Sequence, residues 1–282
     1  MSHEITKNII ENLEQKMLDL PQVECPVVHH FGPGIYIREV TLPAGTLAIG
    51  HAQKFEHLNI VLKGSVSMIG ENGEVKIIKA PTIFTGKPGR KFGFVLEECV
   101  WQNVYATNEK DIDKLESTFL EKSETWKAHD ELLRRVEYSN RIEDRKDFEE
   151  LIDRAGFTKE LVRLQSENED DQIPMPDGFG QKLTIRDSCI EGRGVFLSSP
   201  ADENEIIAPA RINGFRTPAG RFTNHSKNTN AKFVKDINGD IWLVAIKSIS
   251  GCVGGSIGEE VTVDYRQALS CSGIYLIDEV MA

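Results

Sequence analysis

Cysteine is sparse and badly spaced for bridging: Cys25, Cys99, Cys189, Cys252 and Cys271 are odd in number, far apart, and form no CxxC pair. Neither a disulfide framework nor a cysteine-rich zinc site follows from that pattern. Long hydrophobic runs are missing too. No stretch approaches the roughly 18 apolar residues of a membrane span. The opening MSHEITKNIIENLEQ lacks the basic-then-apolar layout of a signal peptide, so the expectation is a soluble, cytoplasmic chain. Positive charge is also short, with 33 basic residues against 44 acidic ones and a net charge of −11. That balance argues against a non-specific nucleic-acid binder and suits a basic protein partner better.

What is present is a globular composition, 40% hydrophobic and 27% charged over 282 residues, long enough for two cores. Ile5, Ile9, Leu13 and Met17 recur at four-residue steps and predict an N-terminal helix within 1–22. Residues 23–107 read as β-rich, with Asn72-Gly73 as a type I′ hairpin turn between alternating apolar residues. Composition then turns charged and helical over 108–180. Asn108 is an expected helix cap, and Asp147 with Glu150 an expected acidic capping box. SENEDDQIPMPDGFG closes this connector as a linker. Residues 181–282 are β-rich again, with KLTIRDS, GRGVFLS, EIIAPARI, AKFVKDI, DIWLVAIKSI and EEVTVDY as strands and Asn238-Gly239 as a turn.

In the first β-rich region, His51 and Gln53 share a strand face, and His57 can converge on them from the next segment. Two imidazoles and a carboxamide could hold a divalent metal, although Gln is a poor neutral ligand. Alternatively, all three line a barrel mouth as hydrogen-bonded polar residues. The spacing resembles the first motif of the cupin family of small β-barrels: Gly45, His51 and Gly64 match, while Gln53 and His57 replace the second histidine and the glutamate. KPGRKFGFVLEECVW has the Pro-Gly turn of the second motif, Pro88-Gly89, without its histidine. The resemblance implies a cupin-like β-barrel serving substrate binding, homodimerisation or small-molecule sensing.

In the second β-rich region three short pieces follow in order: EGRGVFL (191–197), RFTNHSK (221–227) and GEEVTVDYR (258–266). Each alone is ordinary; the set resembles the SET domain of S-adenosylmethionine-dependent protein-lysine methyltransferases, a β-clip type fold. The resemblance implies that Gly192, Arg193, Gly194 and Val195 meet the methionine part of the cofactor. It implies that Asn224 holds the amino end, that His225 sits beside the adenine and ties two strands, and that Arg221 supports the loop. Tyr265 matches the tyrosine bordering the lysine channel. The chain departs from the family where Lys227 and Thr229 replace Cys and Pro, and where only about 26 residues separate Gly194 from Arg221. Tyr275, Trp242 and Phe215 are the aromatic candidates to complete the channel. The expectation is therefore a mainly β, two-domain chain, cupin-like barrel, helical connector and SET-like fold, methylating lysine in a protein substrate. The alternatives are a non-catalytic cupin–SET binding or structural protein, of bacterial or bacteriophage character and acting in such a cell or infected host, and a metal-dependent cupin enzyme.

Overall fold

The computed structural model describes residues 2–69 and 74–271. The chain is mainly β and divides into two units, Met1–Leu133 with Gly251–Ser256, and Arg134–Ser250 with Ile257–Ala282. No helix among the described residues is long and apolar enough to cross a membrane.

The first unit begins with α1 (Ser2–Leu18), then β1 (Val27–Gly32), β2 (Ile35–Leu42), β3 (Leu47–Ile49), β4 (Ala52–Gln53) and β5 (His57–Ile69). It continues with β6 (Val75–Lys79), β7 (Thr82–Gly86), β8 (Phe92–Ala106), α2 (Ile112–Phe119), β9 (Leu120–Glu121) and α3 (Glu124–Asn140), within which the division falls. Seven strands form one antiparallel sheet in the order β1-β2-β8-β5-β6, with β3 on β8 and β7 on β5. β1 and β6 end that path, so the barrel expected over 23–107 is an open ladder among the described residues. Its curvature comes from β5. Register slips against β8 on either side of Lys63 and Ser65, and Gly64 between them takes φ +77°. The 57–61 half of β5 thus pairs with β7, and the 65–69 half with β6. From Cys99 to Tyr105 alternate residues of β8 are buried, packing Val61, Val66, Val95, Cys99 and Trp101 into a core. The Asn72-Gly73 turn lies outside the described residues.

Two expected helix starts are displaced. Asp111, not Asn108, caps α2, accepting from the Lys114 amide at 3.1 Å, while Asn108 accepts from the Gly34 amide. The stretch 108–121 falls within the first unit, where β9 pairs with β4.

The second unit holds α4 (Ile142–Arg154), α5 (Lys159–Glu167), β10 (Leu183–Asp187), β11 (Arg193–Leu197), β12 (Ile206–Ile212) and β13 (Phe215–Arg216). Then come α6 (Pro218–Phe222), β14 (Asn224–His225), β15 (Ala231–Lys235), β16 (Ile241–Ala245), β17 (Glu260–Val263) and α7 (Tyr265–Cys271). Two four-stranded sheets result, β10-β11-β17-β14 and β13-β12-β16-β15. Val195, Leu197, Ala208, Leu243, Ala245, Val261 and Val263 fill the core between them, all but inaccessible to solvent. All four residues of β17 are buried, as expected of a strand covered on both faces. Asn238-Gly239 does join a hairpin, β15 to β16, but only Gly239 takes positive φ. Asp236 fixes the turn by accepting from the Asn238 and Asp240 amides.

A Cβ at Gly64 would lie 2.0 Å from the Glu98 carbonyl, whereas one at Gly34, at similar φ, meets nothing within 4 Å. Gly34→Ala should therefore cost about 1 kcal/mol, the left-handed penalty alone. Gly64→Ala should cost about 3 kcal/mol or more because the backbone must also move. Equal losses in denaturant unfolding would contradict this account of the β5 bend.

Candidate functional site

The site of the second unit is assembled by a short polar segment driven into the core. Thr217 caps α6 and its hydroxyl donates to the Pro209 carbonyl, fixing the helix start. Gly220 lets α6 press on β12, where a Cβ would stand 1.9 Å from the Ala210 carbonyl. The chain leaving α6 carries Thr223, Asn224, His225 and Ser226, all buried. It pairs in parallel with the last residues of β17, Asn224 with Thr262 and His225 with Val263. Asn230 stitches the same two segments, donating to the Glu260 carbonyl and accepting from the Thr262 amide, each at 2.8 Å.

Asn224 ties this pair to the glycine-rich turn. Its Nδ2 faces three acceptors, the Glu191 and Arg193 carbonyls at 3.0 and 3.1 Å and Glu260 Oε1 at 2.8 Å. Three acceptors around one atom fix the amide orientation, and Oδ1 has no partner among the described residues. Gly192 takes φ +50°, which serves the turn. Gly194 serves a different end: a Cβ there would lie 2.2 Å from Glu260 Oε1, so its bareness admits that carboxyl group. Burial raises the Glu260 pKa, against the hydrogen bonds from Asn224 and Ser188 that lower it.

His225 is held on both nitrogens. Nδ1 accepts from the Tyr265 amide at 3.1 Å, so Nε2 carries the proton and donates to Asp147 Oδ2 at 2.7 Å. Asp147 also receives both Nη atoms of Arg266 at 2.9 Å and Lys227 Nζ at 2.7 Å. Burial alone would raise this carboxyl's pKa; the hydrogen bonds from Arg266, Lys227 and His225 outweigh it and hold it well below the usual carboxylate range. Asp147 is no capping residue. α4 starts at Ile142, after Arg141, and Asp147 points from its interior into the core.

Tyr265 donates its hydroxyl to the Thr223 carbonyl at 3.0 Å, and its ring meets Phe148 edge-on and His225 at 5.3 Å. Burial, with the nearby Glu260 and Glu191 charges, raises its pKa and keeps it a phenol. On one side it borders a cavity of about 490 Å³ walled by Leu151, Ile152, Val162, Phe233 and Ile241. Arg221 donates to Gln172 at 2.5 Å and lies over the Phe222 ring, with its Nε buried and unpartnered among the described residues. Arg193 covers the same ring. Of the other aromatic candidates, Trp242 bonds Asp236 and packs on Phe179, Phe215 is exposed, and Tyr275 lies outside the described residues.

No family model and no curated protein matches the chain. Solved structures do. Protein NMB1881 from Neisseria meningitidis is 9% identical over 33% of this chain and 96% of its own, at a TM-score of 0.26. A cupin family protein with a double-stranded β-helix fold from Methanocaldococcus jannaschii is 20% identical over 34% and 88%, also at 0.26. A transcriptional regulator of the HTH_3 family from Vibrio cholerae is 15% identical over 33% and 60%, at 0.25. These likenesses carry no argument about activity.

The second set of expected ligands, in the first unit, does not assemble. His51 edges onto Trp126, and burial lowers its pKa to about 3. Gln53 accepts from the Tyr105 hydroxyl at 2.8 Å. His57 turns Nδ1 to the Phe55 carbonyl and Nε2 to Lys91 Nζ at 3.2 Å. An ammonium thus stands at the imidazole that a metal would need. No group of three His, Cys, Asp or Glu among the described residues could hold one. The three residues do not fit a divalent metal.

Sequence reasoning missed Asp147, Glu260 and Lys91. A glutamate opening a strand reads as exposed, and the helix pattern around Asp147 offers no cue to a histidine 78 positions away.

Removing the Asp147 charge tests the hub. Its depressed folded pKa means stability present above the ordinary value of 3.8 and lost as pH falls through and below it. Asp147→Asn should cost about 3–5 kcal/mol at pH 7. The gap to the parent should narrow in unfolding curves measured from pH 5 towards pH 3. A constant gap would mean that the charge is not what matters.

Proposed function

We propose that the second unit is an S-adenosylmethionine-dependent protein-lysine N-methyltransferase. The observation that carries the reading is the convergence of three motifs within hydrogen-bond reach. Asn224 reaches the 191–193 turn, His225 reaches Tyr265, and Tyr265 returns to Thr223.

The residues suit the cofactor. Asn224 Oδ1, unpartnered among the described residues and beside the glycine turn, is an acceptor for an ammonium group. Arg221 Nε is a buried donor without an acceptor among the described residues. The Gly192 turn lies beside them and His225 is locked in one tautomer next to Tyr265, whereas Val195, expected to meet the cofactor, is buried in β11 and paired with both Ile185 and Val261. When bound, S-adenosylmethionine supplies a methyl on a positive sulfonium.

The chain's own groups must then present a neutral lysine amine, whose ordinary pKa is about 10.4. The apolar walls at Leu151, Ile152, Val162 and Phe233 disfavour the ammonium form and favour loss of its proton to water. Tyr265 lines that space and is kept protonated by burial, with its hydroxyl held by the Thr223 carbonyl, and it is the group to orient the amine. The lone pair of that neutral amine would be the nucleophile for the methyl group, with sulfur leaving as a thioether. The methylated ammonium sheds its extra proton to solvent.

A second reading, a non-catalytic module with the same buried network, is favoured by one fact. Asn224 Nδ2, Glu260 and Ser188 satisfy one another without any ligand.

Labelled methyl transfer to a lysine-rich peptide library, and to the chain itself, separates the two. Tyr265→Phe removes one hydroxyl, at about 1 kcal/mol of stability, and should cut transfer by about 100-fold. Asn224→Ala should weaken S-adenosylmethionine binding by about tenfold or more in calorimetry. Transfer unchanged in both variants contradicts the assignment; absence of binding heat for the parent chain favours the non-catalytic module.

A further inference from the structure

The first unit carries a half-open cavity of about 580 Å³, within the size range of small-molecule sites. Its chemistry is set by the rungs of the open sheet. Arg38 of β2 stands opposite Asn103 of β8, and Asn103 opposite Asn59 of β5. Residues directly opposite share a face, so the three make one polar rung, spanning about 10 Å at the usual strand spacing. The rung beside it is Val40, Trp101 and Val61, an apolar floor.

Lys91 reaches the Asn59 end of the polar rung. Its Nζ donates to Asn59 Oδ1 at 2.7 Å, an oxygen that also accepts from Trp101 Nε1 and Asn103 Nδ2, each at 2.9 Å. At the other end the Arg38 Nε is buried without a hydrogen-bond partner among the described residues, as is His51 Nδ1. The acid whose field Arg38 feels most is Glu116, already paired with Lys122 at 2.8 Å.

Arg38, Lys91, Glu14 and His51 all line the cavity, and Glu14 is the single carboxylate among the lining residues. It is not available. Arg90 grips both of its oxygens, and Ser123 donates to one at 2.7 Å. Two cations therefore face a half-open space whose own carboxylate is spent on Arg90, while the Glu116 charge steadies Arg38 without giving its Nε a hydrogen bond; an anionic ligand can supply that acceptor. Val27, Val40, Val66, Met68 and Trp101 supply apolar wall around them, more than an inorganic ion could cover.

We propose that this cavity binds a small organic carboxylate, its carboxylate between Arg38 and Lys91 and its apolar body against Val40, Val66 and Met68. Arg38 supplies a planar fork matched to a carboxylate and Lys91 a point charge. The polar rung holds both in register. The inference is independent of the methyl-transfer reading, because every residue it uses belongs to the first unit.

The test uses the full chain, with benzoate and hexanoate as probes. Benzamide serves as the neutral isostere, sodium phosphate as the inorganic anion and zinc chloride as the metal, in thermal-shift and calorimetric titrations at matched ionic strength. At least one carboxylate should bind with a dissociation constant below about 10 mM. Benzamide and phosphate should each bind at least about tenfold more weakly than that carboxylate. Arg38→Met and Lys91→Met should each weaken it by a further factor of about ten or more, and Arg38→Lys should restore part of the loss. If the methionine variants do not fold, the comparison of acid with amide on the parent chain still decides. Amide or phosphate binding as tightly as the acids, zinc binding more tightly than either, or no carboxylate binding at all, each overturns the proposal.

Discussion

The second unit depends on the hydrogen bond between His225 and Asp147. A segment reading Thr-Asn-His-Ser belongs in a solvent-facing turn by composition, yet here it is buried between β17 and α4. That is tolerable because the side chains of Thr223, Asn224, His225 and Ser226 each find a hydrogen-bond partner. Asp147 takes the imidazole, Arg266 and Lys227; the imidazole takes the Tyr265 amide; Asn224 takes the turn at Glu191 and Arg193. In a low-dielectric site such a network is strong when complete and costly when one member is missing. The positions of Tyr265 and of the glycine turn follow from it.

Much of this was legible beforehand, and the reason is local. KLTIRDS, GRGVFLS and DIWLVAIKSI alternate or cluster apolar residues at the strand period, and each forms a strand. What failed depended on distant partners. Asp147 and Glu150 have the spacing of a capping box, but the helix begins at Ile142, and burial against His225 decides the role of Asp147. Gly194 has the look of a glycine that admits a ligand, and it admits Glu260 instead. His51, Gln53 and His57 have metal-like spacing. Their orientations are set by Trp126, Tyr105 and Lys91, which lie 75, 52 and 34 positions further on.

The two units handle buried charge in opposite ways. In the second, the Asp147 carboxylate is surrounded by three donors and needs nothing further. In the first, Arg38 and Lys91 face a cavity whose one carboxylate is already spent on Arg90. A satisfied network rigidifies; an unsatisfied one invites a ligand. The segment SKNTN sharpens the contrast. Lys227 completes the hub around Asp147, and Thr229 donates to the Ala231 and Thr262 carbonyls, so both residues support the buried network.

The central claim is that Asn224, the 191–193 turn and Tyr265 form one cofactor pocket. A crystal structure of the full chain grown with S-adenosylhomocysteine tests it most directly. The account predicts the amino group of the ligand on Asn224 Oδ1, with Asn224 Nδ2 still bonded to the Glu191 and Arg193 carbonyls. Ligand bound away from these residues, or none bound at saturating concentration, would contradict it.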